Sequence, residues 1–381
     1  MRKEKLKDLC TIKSGGTPSR KNKKNYGGQI PWVKISDITS SNGLIHETEE
    51  YITQAGLSDI NNRLFKEGTL LFSMYGTLGE TAVAGTKLST NQAILGINPN
   101  DDRELSSEYL RYWFKYKQRE LDSLSRGVAL KNLSATIVKD FEIPLPRLSE
   151  QKAIVAKLDR AQRLIDIDRE MLAKYDELIQ SVFLEMFGDP VRNEKGWEVK
   201  KLGDIGTLAR GKSKHRPRND PSILGGEYPL IQTGDVANAG LFITEYSSTY
   251  NEAGLKQSKL WDSGTLCITI AANIAKVGIL DFDACFPDSV VGFKSEKASS
   301  IFIYAWMGFL QNIIEEQAPV SAQKNINLRI LNDLDIIFPP LSLQREYEQI
   351  VLKIDRERRE IENLNQKSEE LFLSLVQRVF G

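Results

Sequence analysis

The chain has 381 residues, with 51 Lys plus Arg against 51 Asp plus Glu, 41% hydrophobic and 27% charged residues. At roughly 100–200 residues per domain that length favours two or more domains, while the charge balance excludes a histone-like polycation and the composition excludes a disordered or collagenous chain. Three cysteines without a CxxC pair and only two histidines exclude a disulfide framework and a Cys/His zinc site.

Met1 to Lys7 is charged and leads into no hydrophobic segment, so a signal peptide is not expected. The longest apolar stretch, Thr265–Leu280, is interrupted by Asn273 and Lys276 and falls short of the ~20 apolar residues that cross a bilayer. A cytoplasmic protein without membrane contact is the expectation. Charge is unevenly spread. Residues 1–26 carry nine Lys/Arg against Glu4 and Asp8, and residues 192–219 carry nine against Glu194, Glu198 and Asp204. Two basic patches on a neutral chain suggest two places that meet an anion, and a polyphosphate backbone is the obvious candidate.

The two patches belong to a long-period repeat. Leu6–Ile12 matches Leu202–Leu208 at an offset of 196, Pro31–Ile38 matches Pro229–Val236 at 198, and Gly68–Phe72 matches Gly264–Ile268 at 196. Lys131-Asn132-Leu133, Leu148–Lys152 and Phe187-Gly188 recur at an offset of 193. A period near 195 is too long for a solenoid and implies a duplicated two-part unit. The first part of each copy reads as sheet, with β-branched runs between Gly and Asn-Gly turns. Near its end Glu108–Leu124 and Ile301–Gln317 read as amphipathic helices whose aromatic faces (Tyr109, Tyr112, Trp113, Tyr116; Trp306, Phe309) pack on that sheet.

The second part opens with Ile143-Pro144-Leu145-Pro146 or Ile337-Phe338-Pro339-Pro340, followed by Leu-Ser-x-Gln, where Ser149 is the expected N-cap. In the first run Ile154, Leu158, Ala161, Ile165, Asp168, Leu172, Tyr175, Ile179, Val182 and Met186 alternate spacings of 4 and 3, a coiled-coil seam. In the second run Ile350, Ile354, Glu357, Ile361, Leu364, Ser368, Leu371 and Leu375 do the same. Runs of ~38 residues would span roughly 57 Å and must pair with each other or with a partner. The domain boundaries expected are 1–146, 147–190, 191–340 and 341–381.

Gly206–Ser213 satisfies G-x-x-x-x-G-K-[ST], the phosphate-cradling P-loop. The context denies it: Pro217 and Pro221 follow where a helix must start. Pro287-Asp288 lacks the second carboxylate of a PD…(D/E)xK nuclease, and Phe338-Pro339-Pro340-Leu341 lacks both functional ends of an [ND]PP[YF] methyltransferase motif. What remains is recognition, because loops rich in Ser, Thr, Asn, Gln and basic residues recur at matching places in both copies. In copy one the candidate contacts are Lys13, Ser14, Thr17, Ser19, Arg20, Lys21, Ser36, Asp37, Tyr75, Asn91, Gln92, Arg126, Lys131 and Asn132. In copy two they are Arg210, Lys212, Lys214, Arg216, Arg218, Thr233, Asp235, Asn273, Asp288, Gln323, Lys324 and Asn325. A self-contained enzyme and a coiled-coil scaffold are the competing readings.

The layout resembles the DNA-specificity subunit of type I restriction-modification systems over essentially the whole chain. The resemblance is carried by the Leu-x-Asp openings at 6 and 202, Ile30-Pro31-Trp32-Val33 with Ser36-Asp37, Gly68–Leu71, Lys131-Asn132-Leu133, the Pro-Leu-Pro-x-Leu-Ser-Glu-Gln-Lys stretch at 144–152 and Phe-Gly-Asp-Pro at 187–190. It implies an α+β fold: two mixed α/β target-recognition domains in tandem, each followed by a long helix, the helices forming an antiparallel coiled coil with pseudo-twofold symmetry. It implies that each domain reads one half of a split double-stranded DNA site and that the helices set the half-site spacing. The helices also dock two modification (methyltransferase) subunits, which supply S-adenosylmethionine and adenine-N6 methylation, and restriction/translocase subunits join them. The specificity subunit itself is non-catalytic and holds no cofactor. Leu158, Ile165, Leu172, Ile179 and Val182 on one helix, and Ile354, Ile361, Leu364, Leu371 and Leu375 on the other, are the expected pairing residues.

Overall fold

A computed structural model describes residues 2–41, 43–75, 78–126, 134–271, 275–309 and 326–381. The chain divides into two compact units, Met1–Ile167 with Leu364–Gly381, and Asp168–Asn363.

In the first unit a five-stranded sheet runs Cys10–Ser14, Ile94–Pro99, Leu70–Ser73, Thr81–Ala84, Leu44–Ile45. Only the last pairing is parallel. Its edge strand alternates in the expected way, Cys10 and Ile12 inward and Thr11 and Lys13 outward, whereas Leu70–Ser73 is buried on both faces. One face meets helix Ser107–Arg126, where Leu70, Phe72, Leu95 and Ile97 pack on Tyr109, Leu110, Trp113 and Phe114. The other face meets Val33, Ile38 and Phe65 beneath a smaller sheet of Tyr51–Ile52, Tyr26–Val33 and Ser89–Thr90. The aromatic face expected at 108–124 is therefore core.

The second unit repeats this topology, with the five-stranded sheet matched in full and one further short strand, Leu260–Trp261, in the smaller sheet. Its larger sheet is Thr207–Arg210, Val290–Lys294, Leu266–Thr269, Val277–Leu280, Phe242–Ile243, and its smaller sheet is Ser248–Tyr250, Leu224–Leu230, Ala284–Cys285, Leu260–Trp261. The helix on it, Ser300–Met307, is capped by the Ser299 hydroxyl, which accepts from the amides of Ile301 and Phe302. Its expected continuation to 317 lies outside the described residues from 310 onward.

The long helices are Leu148–Phe187 and Leu341–Phe380, 40 residues each. Ser149 is not the cap expected for the first; Leu148 is already helical, and the Glu150 carboxylate reaches back to accept from the Arg147 amide. The start is pinned by Gln151, fully buried, whose carbonyl accepts from Ser106 N at 2.9 Å while its amide donates to Glu104 O and Pro146 O. Gln344, equally buried, repeats the device on Ser299 N and Pro339 O. The first helix ends at Gly188, whose φ of 77° is open to glycine, and Lys195 donates to the orphan carbonyls of Glu185 and Met186.

Within the second unit the helices run antiparallel. Tyr175 meets Glu357, Asp176 meets Arg358 at 3.1 Å, and Tyr347 Oη donates to Ile179 O. Phe183 and Phe187 then pack edge-to-face on Tyr347. Within the first unit Leu158, Ala161 and Ile165 share a buried cluster with Phe372 and Val376. The first helix keeps its expected seam at least partly buried from Ile154 to Met186. The second requires a correction. Leu364 and Leu371 are 49% and 48% exposed, and the covered edge instead follows Tyr347, Val351, Ile354, Arg358, Ile361, Asn365, Ser368, Phe372 and Leu375. Those positions still alternate 4 and 3, but from the middle of the helix onward they fall one residue after the expected Glu357, Leu364 and Leu371, which brings polar Arg358 and Asn365 onto the covered edge. Arg358 is satisfied by Asp176 and Glu362, while Asn365 donates from Nδ2 to Glu369 and its buried Oδ1 meets no partner among the described residues.

Candidate nucleic-acid interface

Strand directions bring four loops of the first unit to one end of its sheets. The chain leaves Cys10–Ser14 where Ile94 begins its strand, so Gly15 N donates to Ile94 O and Gly16 N to Thr90 O. Val33 O accepts from Asn91 N, and Met74 N donates to Ala93 O. The segments after residues 14, 33 and 73 and before residue 94 are thus stitched together. The approach is so close that a Cβ on Gly15 would lie 2.0 Å from the Thr90 hydroxyl. The loop beyond is also fixed: Trp32 Nε1 donates to Gly16 O, Tyr26 Oη to Pro18 O, and Asp59 accepts from Ser19 N and Asn25 Nδ2.

The second unit uses the same end with different fastenings. Gly211 N donates to Val290 O, Ile231 N to Cys285 O and Ile270 N to Ser289 O. Gln257 Oε1 accepts from the amides of both Lys214 and His215, and Ser258 Oγ donates to Lys212 O. His215 Nε2 lies 2.7 Å from Asp220, whose carboxyl is held down to about 2, first by the Ser222 amide and next by His215.

The candidate residues sort into two groups. Lys13, Lys21, Arg210, Lys212 and Lys214 are exposed at this end, and among the described residues their charged groups meet no carboxylate. Lys23 and Lys24, which only the local charge count signalled, behave alike. Thr17, Ser19, Ser36, Tyr75 and Gln92 are exposed on the same rim; Ser14, Asn91 and Thr233 are half-buried, with Asn91 Oδ1 turned onto Ala93 N. Other candidates are committed to the fold. Asp37 accepts from the amides of Lys34 and Glu49, and Asp235 accepts from Gln232 N and Ser247 Oγ. These carboxylates cap short helices and brace the rim. Arg20 is spent on Glu50 and lies 4.3 Å over Tyr26. Arg216 and Arg218 both face Asp288. The Arg126 side chain and Lys131, Asn132, Asn273, Gln323, Lys324 and Asn325 lie outside the described residues.

The P-loop match is accounted for by the fold. Thr207–Arg210 inside it is a strand, and the next helical turn is the three-residue Pro221–Ile223, so no helix start faces Gly211-Lys212-Ser213. Lys212→Ala is therefore expected to leave calorimetric titration with ATP as flat as in the parent chain. A binding isotherm in the parent that the substitution removes would overturn this.

Among the described residues no helix is long and apolar enough to cross a membrane. The model of the type I restriction modification DNA specificity domain matches twice, at residues 1–174 and 194–371. The type I restriction enzyme MjaIX specificity subunit of Methanocaldococcus jannaschii is 28% identical over 377 residues, covering 91% of this chain and 85% of that protein. The putative MjaX specificity subunit of the same organism is 24% identical, covering 97% and 92%. The crystal structure of the type I restriction-modification S subunit from M. genitalium aligns over 100% of this chain and 96% of its own with a TM-score of 0.55 at 16% identity. A chain from a structural study of complex assembly and conformational transition in the type I restriction-modification system gives 0.57 at 18%, covering 99% and 96%. At those identities the two structures bear on the fold alone, which they share. With a duplicated mixed domain, long paired helices and the family pattern matched in both halves, the chain belongs to the DNA specificity subunits of type I restriction-modification systems.

Proposed function

We propose that each mixed domain, 1–146 and 191–340, reads one half of a bipartite duplex site, and that the helices of 147–190 and 341–381 act as the ruler between the halves. The observation that carries this reading is the recurrence, at the same strand ends of both units, of a braced loop whose lysines have no partner among the described residues. Unpaired ammonium groups on a rigid rim are suited to phosphates, and the exposed Ser36, Tyr75 and Gln92 beside them are suited to base edges. Helices of ~60 Å compare with ~34 Å per turn of duplex, which accommodates half-sites one to one and a half turns apart. The outward leucines Leu364 and Leu371, seven residues apart on one side of the helix, form the docking face for modification subunits, which supply S-adenosylmethionine and methylate adenine, with restriction subunits joining the same complex. The chain itself is a cytoplasmic, non-catalytic reader.

Selection of bound duplexes from a random pool, using the complex isolated through this chain, is expected to return two short unrelated sequences at fixed spacing. A continuous motif would rule out the ruler. Seven unpaired basic side chains (Lys13, Lys21, Lys23, Lys24, Arg210, Lys212, Lys214) set the salt dependence. Affinity should fall roughly 10³- to 10⁴-fold between 50 and 200 mM salt. Binding that ignores salt would remove the phosphate assignment.

A further inference from the structure

The basic loop of the second unit holds two arginines against one carboxylate, and their remaining contacts separate them. Arg216 Nη2 lies 3.9 Å from Asp288, while its Nη1 donates to Ser213 O and His215 O, so this guanidinium clasps its own loop. Arg218 donates from Nη2 to Asp288 and has no other partner among the described residues; its side chain is 45% exposed. Asp288 is itself held in place. Pro287 O accepts from Val290 N at 3.0 Å, Val290 O accepts from Gly211 N, and the Phe286 and Pro287 carbonyls abut Gly211.

A neighbouring carboxylate changes what an arginine is good for. Against phosphate, Asp288 would be a like charge beside the incoming anion, and the same loop already offers Lys212 and Lys214 unpaired. Against a neutral base edge there is no such conflict. The carboxylate fixes the plane of the guanidinium and leaves adjacent N–H donors free, and guanine is the base that presents two acceptors, O6 and N7, to such a fork. We propose that Arg218 reads a guanine in the half-site of the second unit, with Asp288 as the residue that positions it. The proposal rests on the DNA-reading function above and adds one base of its specificity. Arg20 in the first unit does not share the role, because Nη1 and Nη2 both go to Glu50.

The test is random-pool selection and salt titration with the full chain in its assembled complex, comparing the parent with Arg218→Lys and Asp288→Asn. The parent should select a G·C pair in one half-site. Arg218→Lys keeps the charge but not the fork, and should weaken preference for that pair roughly 10- to 100-fold, leaving the other half-site and the salt slope unchanged. Asp288→Asn should weaken the same preference and steepen the log–log salt slope by about one, as the released arginine turns to a phosphate. A merely structural Asp288 would leave that slope alone. Arg218→Lys that keeps every base preference would overturn the proposal while the reading function stands; a parent complex that selects no motif would overturn both.

Discussion

Gln151→Leu is expected to destabilise the first unit by roughly 3–6 kcal/mol, read as a lowered urea midpoint with little change in slope. Leucine fills the space but satisfies nothing. Ser106 N loses its acceptor, and Glu104 O and Pro146 O lose their donor, around a side chain that is itself fully buried. Each backbone group orphaned in this way costs about 1–3 kcal/mol. Gln344→Leu in the second unit should cost less, because Gln344 closes two such bonds, to Ser299 N and Pro339 O. A shift below ~1 kcal/mol in Gln151→Leu would mean that the glutamine decorates the helix start and does not fasten it.

Neighbouring residues on the second long helix should behave in opposite ways. Phe372 is 3% exposed, its ring 6.1 Å from that of Tyr112 and 4.5 Å from Lys115 Nζ. Phe372→Asp removes a large buried ring and leaves a carboxylate in its place, for a loss of about 4 kcal/mol or more. Leu371 points outward, so Leu371→Asp should alter stability by no more than ~0.5 kcal/mol. The same Leu371→Asp chain should nevertheless fail to co-purify with modification subunits, because a charge then sits on the face proposed for docking. Equal destabilisation by the two changes would restore the leucine seam read from heptad spacing, and a Leu371→Asp chain that assembles normally would relocate the docking face.

The repeat made most of the architecture legible, since a period near 195 with matched motifs forces two copies of one fold, and the helix limits followed from unbroken apolar spacing. Heptad spacing sets the seam of the second helix on Glu357, Leu364 and Leu371, one residue before the covered Arg358, Asn365 and Phe372. In the folded chain Arg358 is acceptable beside Asp176, a residue 182 positions earlier that no local pattern reveals. The capping bonds of Asp37 and Asp235 were hidden for a related reason: each stands three places after the N-cap of a helix, Ile35–Ser40 or Thr233–Asn238, too short to announce itself. Loop composition picked out residues that the fold gathers on one rim. It could not separate Lys21, which is unpaired, from Arg20, which is paired to Glu50 thirty residues away. That distinction depends on strand pairing, and strand pairing decides which loops meet.

Each long helix begins in one compact unit and ends in the other: residues 364–381 complete the unit that residues 1–167 begin. On the ribosome the first unit therefore waits for a segment made roughly 200 residues later, which at ~5–20 residues per second is on the order of 10–40 s. Until Phe372, Val376 and Phe380 arrive, Tyr109, Tyr112, Leu158 and Ile165 stay uncovered. The second unit, lying between the two segments, has no such delay. A nascent chain can therefore complete its second unit while the first still lacks residues 364–381 and keeps part of its apolar surface open to solvent.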